Sequence, residues 1–324
     1  MDVVIEPYQQ ATSRAQCAVA EGQSVLWIRS TVTDAVTDFQ AFDARGLNSM
    51  LHHSRYAAED RKWLDRQLMR IFGPNGSRGG ILAVTTQTAE QSLDIDADLL
   101  VTDACPADVL LQRIGRLHRH RTGTRPTVVV IDPGDLEQYL TKKGKVRGCS
   151  GQGWPWVYGN LLSVRATLDW LLSHGSISVP GDCRVLVERA THADYLRELA
   201  GSLDGYWVDL WRNLYDAAAI KSQLAEASVI DWGQPYRKAL VDQWLPTRLG
   251  EGSVTVAVKN IASPFTGQRI EALPILLRWL PKDQPLDAVL PRKNGPPIEA
   301  ANQRFRLGGA EFGYSRFGIQ RLSD

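Results

Sequence analysis

One short segment concentrates side chains that bind phosphate groups. It runs Gln112-Arg113-Ile114-Gly115-Arg116-Leu117-His118-Arg119-His120-Arg121. Between Val109 and Ile131 the sequence holds five arginines, two histidines and no acidic residue. Guanidinium groups bind phosphate oxygens bidentately and stay charged at neutral pH, so this cluster suits a polyanion such as a nucleoside triphosphate. In phosphoryl transfer, such an arginine neutralises charge that develops at the γ-phosphate.

The spacing within this segment predicts a helix that begins after Pro106 and has two distinct stripes. The apolar stripe contains Leu110, Ile114 and Leu117, and the polar stripe contains Gln112, Arg116 and Arg119. An ordinary amphipathic helix with a solvated basic face would show the same periodicity. A central glycine, however, is about 1 kcal/mol less favourable in a helix than alanine, so Gly115 favours a functional role.

A second segment, 85–98, precedes the first. It reads TTQTAEQSLDIDAD and begins at the end of an apolar run. Threonine and glutamine side chains can hydrogen-bond to nucleic-acid phosphates, and Asp94 could accept a hydrogen bond from a ribose hydroxyl. An acidic loop that only caps a strand would have the same composition, so the order of the two segments is more specific than either alone.

Alternating strands and helices must position these segments. The strand candidates are 24–29, 47–52, 80–85, 99–103 and 127–132, and the intervening helix candidates are 33–44 and 57–72. Strands that alternate with helices indicate right-handed βαβ units and a parallel sheet. Parallel sheets bind ligands at the carboxyl ends of their strands, so we expect the chemistry on the loops after Ile28, Thr85 and Asp103.

The composition sets further limits. Of 324 residues, 44% are hydrophobic and 23% charged, which excludes collagen, a coiled coil and wholesale disorder. The net charge is +1, so any polyanion site must be a local cluster. The four cysteines, at 17, 105, 149 and 183, show no zinc-ligand spacing. We therefore expect reduced thiols, no metal site and a cytoplasmic protein, with neither a secretory signal nor a membrane span.

The run TTQTAEQSLDIDADLLVTDACPADVLLQRIGRLHRH resembles motifs V and VI of superfamily 2 helicases. It is most similar to the helicase–nuclease of type I CRISPR systems, which the Cascade surveillance complex recruits. Upstream, VLWIRSTVTDA resembles the motif IV strand and turn, and HHSRYAAEDR resembles the next strand-to-helix segment. Downstream, WVYGNLLSVRATLDWL and LVERA resemble the region that joins the helicase core to the C-terminal domain.

This resemblance implies a role for each matching residue. Arg116 and Arg119 match arginine fingers that reach ATP bound on a partner domain. Gln112 matches a position near the γ-phosphate, and Asp94 matches a contact to the nucleotide or to the fingers. The positions where this class touches the backbone of single-stranded DNA are Thr31, Arg55, Thr86 and Gln87.

The resemblance also implies an α/β fold in three parts. These are a second RecA-like helicase domain with a parallel sheet (1–140), a linker with a connecting helix (141–175), and a smaller, mostly helical or α+β accessory domain (176–324). In the downstream part we expect helices over 160–174 and 204–227, a strand over 253–261, and an irregular loop over 281–297.

Parts of a complete motor do not occur in the sequence. It contains no GxxxxGK[ST] loop, no Asp-Glu dipeptide and no His-Asp dipeptide. In the resembled enzyme, a first RecA-like domain would hold most of the ATP with Mg²⁺, and an HD domain would cleave DNA. We expect both to come from sequence absent here, and the chain alone to hold no cofactor and to lack ATPase activity.

The expected function is therefore the C-terminal part of an ATP-dependent single-stranded DNA translocase that acts with Cascade in CRISPR antiviral defence. The alternative is a non-catalytic DNA- or Cascade-binding module, made from a truncated or separately expressed helicase fragment. A third hypothesis is that the chain is the second half of a different superfamily 2 helicase. The runs EQSLD and QRIGRLHRH argue against this hypothesis.

Overall fold

The structure is a computed structural model that describes residues 1–90, 93–120, 125–147, 154–227, 252–281 and 297–323. The chain packs as two compact units. The first comprises Met1–Leu51 and Leu68–Arg237, and the second comprises His52–Gln67 and Lys238–Asp324. A short segment from the first quarter of the sequence therefore packs with the last part of the chain.

The first unit is built on a six-stranded sheet. Its strands are β1 (Asp2–Glu6), β2 (Ser24–Ile28), β3 (Ser49–His52), β4 (Ile81–Thr85), β5 (Leu99–Asp103) and β6 (Thr127–Ile131). They lie in the order β1-β6-β5-β2-β4-β3. The pairs from β1 across to β4 are all parallel, which confirms the predicted α/β class.

Nine helices occur among the described residues. They are α1 (Tyr8–Ala20), α2 (Val32–Ala44), α3 (Ala58–Phe72), α4 (Ala107–Ile114), α5 (Trp154–Tyr158), α6 (Leu161–His174), α7 (Cys183–Thr191), α8 (Ala193–Leu203) and α9 (Tyr206–Ala227). The five predicted strands and the helices expected over 160–174 and 204–227 are present. Strand β1 was not predicted, and it pairs with β6, 125 residues further along the chain.

Burial explains why these residues form a parallel sheet. Every residue of β2, β4 and β5 is buried, as expected for strands that are covered on both faces. Leu161 and Leu162 of α6 belong to the same buried cluster as the sheet residues Leu26 and Leu100. Helices beyond residue 140 therefore share the core of the first unit, and the boundaries predicted at 140 and 175 stay a prediction.

The described part of the second unit contains one mixed and one antiparallel sheet, both short. Its strands are β7 (Ser253–Ala262), β8 (Arg269–Leu276), β9 (Ile298–Glu299), β10 (Arg304–Leu307), β11 (Ala310–Ser315) and β12 (Gly318–Ser323). They form one sheet in the order β8-β7-β9 and another in the order β10-β11-β12. With the start of α3, these strands make a smaller α+β unit, which agrees with the predicted fold class, while the bounds 176–324 stay a prediction. Most of the loop expected over 281–297 lies outside the described residues.

The segment 52–67 is held against these strands by specific hydrogen bonds. The Tyr56 hydroxyl donates to the Arg316 carbonyl oxygen at 2.7 Å, and the Tyr314 hydroxyl donates to Asp60 Oδ2 at 2.6 Å. The Ile319 N–H donates to the carbonyl oxygen of Arg55 at 2.9 Å. These bonds make the segment an integral part of the second unit.

Candidate functional site

The carboxyl ends of β2 and β5 meet at the point where the strand order reverses. From β2 the chain builds β3 and β4 on one side, and it then returns to build β5 and β6 on the other. Ligand sites in open α/β sheets lie at such switch points. Here the Ser30 N–H donates to Asp103 Oδ2 at 2.6 Å, so the loop after β2 is fastened to the end of β5.

A buried ion network lies beside this point. Arg29 Nη1 donates to Asp38 Oδ2 at 2.7 Å, and Arg29 Nε is 3.0 Å from Asp103 Oδ1. Trp27 Nε1 and the Tyr8 hydroxyl also donate to the Asp38 carboxylate, each at 2.7 Å. Burial, together with the adjacent Asp38, raises the pKa of the Tyr8 hydroxyl. This network fixes the start of the loop after β2.

A second buried network is centred on Arg113, whose side chain is fully buried. Its Nε donates to Glu90 Oε1 at 2.8 Å, Nη1 to Thr102 Oγ1 at 2.6 Å, and Nη2 to the Tyr158 hydroxyl at 2.8 Å. Sequence reasoning assigned no role to Arg113. The signal was its helical phase, because it lies three residues after the buried Leu110 and next to the buried Ile114.

Three of the predicted DNA-contact residues lie on the loops after β2 and β4. Thr31 caps α2, because its Oγ1 accepts a hydrogen bond from the Asp34 N–H at 3.1 Å. Thr86 is buried at the end of β4. Gln87 begins a 3-10 turn, and its Nε2 donates to the Ser30 carbonyl oxygen at 2.8 Å. The structure therefore brings Thr31, Thr86 and Gln87 to the same edge of the sheet.

The predicted helix stops before Arg116 and Arg119, which corrects the two-stripe prediction. Helix α4 ends at Ile114, with Gly115 as its C-terminal cap. Leu117 then forms an isolated parallel bridge with Ala97, and His118 has a φ of 48°. The apolar residues of the stripe are buried as predicted, but Arg116 and Arg119 lie on a turn beyond the helix.

The cause of this helix end is pairing with the second segment. The Ala97 N–H donates to the Arg116 carbonyl oxygen at 2.9 Å, and the His118 N–H donates to the Ala97 carbonyl oxygen at 3.2 Å. The buried carboxylate of Asp96 accepts a hydrogen bond from the Arg119 N–H at 3.0 Å. These bonds replace the hydrogen bonds that a longer helix would have made.

The two predicted fingers have different environments. Arg116 Nη2 donates to the Glu90 carbonyl oxygen at 2.7 Å, and Nη1 donates to the Leu93 carbonyl oxygen. Its Nε is buried and, among the described residues, has no hydrogen-bond acceptor. Burial and the nearby Arg119 lower the pKa of Arg116. Two of the five N–H donors of this guanidinium are thus bound to backbone carbonyl groups of the second segment.

Arg119 and Asp94 form an exposed ion pair. Arg119 Nε is 3.2 Å from Asp94 Oδ1, and the same carboxylate oxygen is 2.8 Å from His120 Nε2. Both the Arg119 and Asp94 side chains are 44% exposed. Gln112 is exposed on α4, and Arg121 lies outside the described residues. Asp94 thus contacts Arg119, one of the two residues predicted to be fingers, and the roles of both stay a prediction.

The fourth predicted DNA-contact residue, Arg55, belongs to the second unit. Its guanidinium carbon lies 5.0 Å from the centre of the Trp279 ring. The neighbouring His53 is buried and stacks on Tyr56 with ring centroids 4.3 Å apart, while His52 Nε2 is 2.7 Å from Asp65 Oδ1. Both histidines thus have structural contacts within this unit.

Neither a metal cluster nor a bilayer-spanning element is seen in the part of the chain that the structure describes. No group of three or more His, Cys, Asp or Glu residues there is placed to hold a metal ion. Cys17, Cys105 and Cys183 are free, and Cys149 lies outside the described residues. No described helix combines the length and the hydropathy that a membrane crossing needs.

Sequence comparison relates part of the chain to one family. Residues 21–122 match a family model that is described as the C-terminal part of the CRISPR-associated nuclease/helicase Cas3. A putative CRISPR-associated nuclease/helicase Cas3 of Myxococcus xanthus is 41% identical over 128 residues, which are 39% of this chain and 17% of the relative. The CRISPR-associated endonuclease/helicase Cas3 of Escherichia coli is 27% identical over 223 residues, 68% of this chain and 24% of the relative.

The fold matches solved structures over nearly the whole chain. The crystal structure of T. fusca Cas3 superposes with a TM-score of 0.73 at 19% identity, covering 98% of this chain and 42% of that one. The T. fusca Cas3-ATP structure superposes with a TM-score of 0.71 at 20% identity, covering 99% of this chain and 42% of that one. A chain from the structure of a CRISPR RNA-guided surveillance complex, pre-nicking, superposes with a TM-score of 0.69 at 20% identity. This match covers 99% of this chain and 44% of that one.

The matched segments amount to about a fifth of the length of the curated relatives and less than half of the solved chains. The chain resembles the C-terminal region of the CRISPR-associated helicase–nuclease Cas3, in sequence over residues 21–122 and in fold over 98% of its length.

Proposed function

We propose that this chain supplies the second RecA-like domain and the C-terminal part of an ATP-dependent single-stranded DNA translocase in CRISPR defence. The observation that carries the proposal is the joining of the two segments at the carboxyl edge of the sheet. There Arg116 contacts Glu90 and Leu93, and Arg119 contacts Asp94. Gln87 contacts the loop after β2.

The nucleotide contact proposed for this chain is electrostatic. Arg119 is half exposed and its partner Asp94 is equally exposed, so a phosphate can compete for the guanidinium at little energetic cost. Arg116 offers a second guanidinium beside it, and Gln112 is exposed on α4. ATP and Mg²⁺ would be held mainly by a first RecA-like domain, with these residues stabilising charge at the γ-phosphate. The ATP-containing structure of the T. fusca relative supports this role.

The DNA contact proposed for this chain lies on Thr31 and Gln87, beside the buried Thr86, with Arg55 as a separate contact. Small polar side chains and backbone N–H groups at strand ends suit phosphate oxygens, which position nucleic acid without reading its sequence. The described residues of the second unit carry eleven Lys and Arg against six Asp and Glu, although the whole chain is nearly neutral. This local excess of positive charge favours a polyanionic partner.

Reconstitution tests the motor function. The chain would be mixed with a polypeptide that carries a GxxxxGK[ST] first RecA-like domain and the HD nuclease domain of the same enzyme class. We expect no single-stranded DNA-stimulated ATP hydrolysis from the chain alone and clear stimulation from the mixture. Stimulated turnover by the chain alone would contradict the proposal.

Titration with labelled oligothymidylate tests the DNA contact separately. Fluorescence anisotropy should show binding that weakens as salt rises, with a linear dependence of log K on log salt concentration. Gln87→Ala should weaken binding, whereas the exposed Gln138→Ala, on the loop after β6, should not. Equal affinities for the two variants would remove Gln87 from the DNA contact.

The alternative is a binding module without chemistry. The engagement of Arg116 by two backbone carbonyl groups favours it, because a finger so held is not free to reach a nucleotide. Cascade remains the proposed partner in both cases, and the match to the surveillance-complex chain supports it. Retained binding to DNA-loaded Cascade, with no ATPase activity in the mixture, would favour this second function.

A further inference from the structure

The hydroxyl of Tyr158 lies between two residues that are distant from it in sequence. It is 2.8 Å from Arg113 Nη2 and 3.0 Å from Ser30 Oγ, residues that precede it by 45 and 128 positions. A guanidinium has only donors, so the Tyr158 oxygen must accept from Arg113. Its own proton remains for Ser30. One hydroxyl on α5 therefore connects α4 to the loop after β2.

The other donors of Arg113 reach the remaining strand ends. Glu90 follows the 3-10 turn after β4, and Thr102 lies near the end of β5. Gln87, in the same turn, donates to the Ser30 carbonyl oxygen and closes the ring of contacts. The loops after β2 and β4 and the end of β5 are thus fixed relative to one another through a single buried guanidinium.

Arg113 also restrains the turn that holds the proposed finger. The Glu90 side chain accepts from Arg113 Nε, while the Glu90 carbonyl oxygen accepts from Arg116 Nη2. Glu90 is therefore bound through its carboxylate to the buried Arg113 and through its backbone carbonyl group to Arg116, on the proposed nucleotide side. Displacement of Arg116 would be transmitted to Glu90 and from there to Arg113.

We infer that Arg113 and Tyr158 are positioning residues that set the geometry of the proposed DNA contact on Thr31 and Gln87. This rests on the function proposed above. Neither side chain needs to touch DNA or nucleotide, because both act through Ser30 and Glu90. Tyr158 belongs to α5, in the segment that resembles the region joining the helicase core to the C-terminal domain, so the inference extends the site to that connecting region.

Two matched substitutions test the inference. Tyr158→Phe keeps the ring and removes the hydroxyl that serves Arg113 and Ser30. Tyr139→Phe is the control, because it removes the hydroxyl of another tyrosine of the first unit, which donates to the Pro133 carbonyl oxygen at 3.1 Å on the loop after β6. Amide hydrogen exchange would be followed by mass spectrometry in the full chain at pH 7.

We expect Tyr158→Phe to speed exchange in peptides that cover residues 29–31 and 86–90. Tyr139→Phe should leave these peptides unchanged and affect only those around residues 133–139. The exchange readout needs neither DNA nor ATP. Unchanged exchange at 29–31 and 86–90 in Tyr158→Phe would overturn the inference, whatever the DNA affinity.

A double-mutant cycle then ties the network to DNA. Tyr158→Phe should weaken oligothymidylate binding about threefold to tenfold, and combining it with Gln87→Ala should add little to the loss from Gln87→Ala alone. Fully additive losses would overturn the proposed path through Gln87. A wild-type chain that binds no DNA, with altered exchange in Tyr158→Phe, would refute the proposed function and leave the positioning of the loops intact.

Discussion

Arg119 Nε lies 3.2 Å from Asp94 Oδ1, and both side chains are 44% exposed. This pair joins the segment that resembles motif VI to the segment that resembles motif V. Exposed ion pairs contribute at most about 1 kcal/mol to the free energy of unfolding, because water and salt screen them. The pair can therefore orient the Arg119 guanidinium without holding it against a more strongly charged ligand.

Substitution of this arginine should separate activity from stability. In the reconstituted enzyme, Arg119→Ala should lower DNA-stimulated ATP hydrolysis by about a thousandfold or more, the typical contribution of an arginine finger. The free energy of unfolding should change by less than about 1 kcal/mol. Steady-state ATPase assays and urea titrations measure the two effects.

Arg125→Ala is the matched control for that experiment. Arg125 is another exposed arginine of the first unit, and its Nε forms an ion pair with Asp2 Oδ1 at 2.8 Å. ATP hydrolysis should stay within about twofold of the wild type, since the loss of a surface pair changes little. Equal losses in Arg119→Ala and Arg125→Ala would argue against a finger role.

Removing the carboxylate of Asp38 should strongly destabilise the first unit. Asp38→Ala would leave the buried Arg29 guanidinium without its closest partner and would orphan Trp27 Nε1. Breaking a buried pair from one side costs about 3–5 kcal/mol, because the remaining charge stays desolvated. Urea denaturation would measure this. Asp169→Ala, which breaks an exposed pair with Arg165, should cost no more than about 0.5 kcal/mol.

Stability should fall as the pH is lowered from 7 to 5. Burial, with Arg55 and His52 nearby, lowers the pKa of His53 from 6.5 to about 3. Within this window the unfolded chain binds a proton at His53 that the folded chain does not, so unfolding is favoured by up to about 1.4 kcal/mol for each pH unit below 6.5. Urea titrations at several pH values would measure the slope.

Two variants show whether His53 causes this slope. His53→Phe should flatten it, because phenylalanine can stack on Tyr56 but does not titrate. His192→Gln removes an exposed histidine of the first unit and should leave the slope unchanged. A slope that survives His53→Phe would assign the pH dependence to another group.

Two glycines of one sheet should respond differently to alanine. Gly318 has a φ of 74°, and a Cβ there would lie 2.7 Å from both the Arg55 carbonyl oxygen and His53 Cε1. Gly309 has a φ of 83° and open space at the same position. Gly309→Ala should therefore cost only the left-handed backbone strain of about 1–2 kcal/mol, and Gly318→Ala clearly more. Thermal unfolding measures both, and equal costs would contradict the close approach.

The parallel sheet was predictable because its central strands are short runs of mostly apolar residues. Strands β2, β4 and β5 need no information beyond their own residues. Strand β1 was missed, since its three apolar residues become a strand only by pairing with β6, far along the chain. The loops that carry Thr31 and Gln87 were predictable from the rule that ligands bind at carboxyl ends of parallel strands.

The remaining details of the site depend on contacts that sequence spacing does not record. The periodicity of Arg116 and Arg119 continues past Gly115, but a bridge between Ala97 and Leu117 ends the helix first. Arg113 was overlooked because charged residues are rarely fully buried unless paired. Its partner Tyr158 is 45 residues away, outside the segments that resemble motifs V and VI.

The packing of segment 52–67 with the last strands also has a consequence for biosynthesis. Its hydrogen-bond partners Arg316 and Tyr314 are made more than 250 residues later. At about 5–20 residues per second, a ribosome needs on the order of tens of seconds to supply them. Throughout that interval segment 52–67 lacks its native contacts, so we expect it to be a binding site for a chaperone. A premature stop codon would leave its apolar surface exposed.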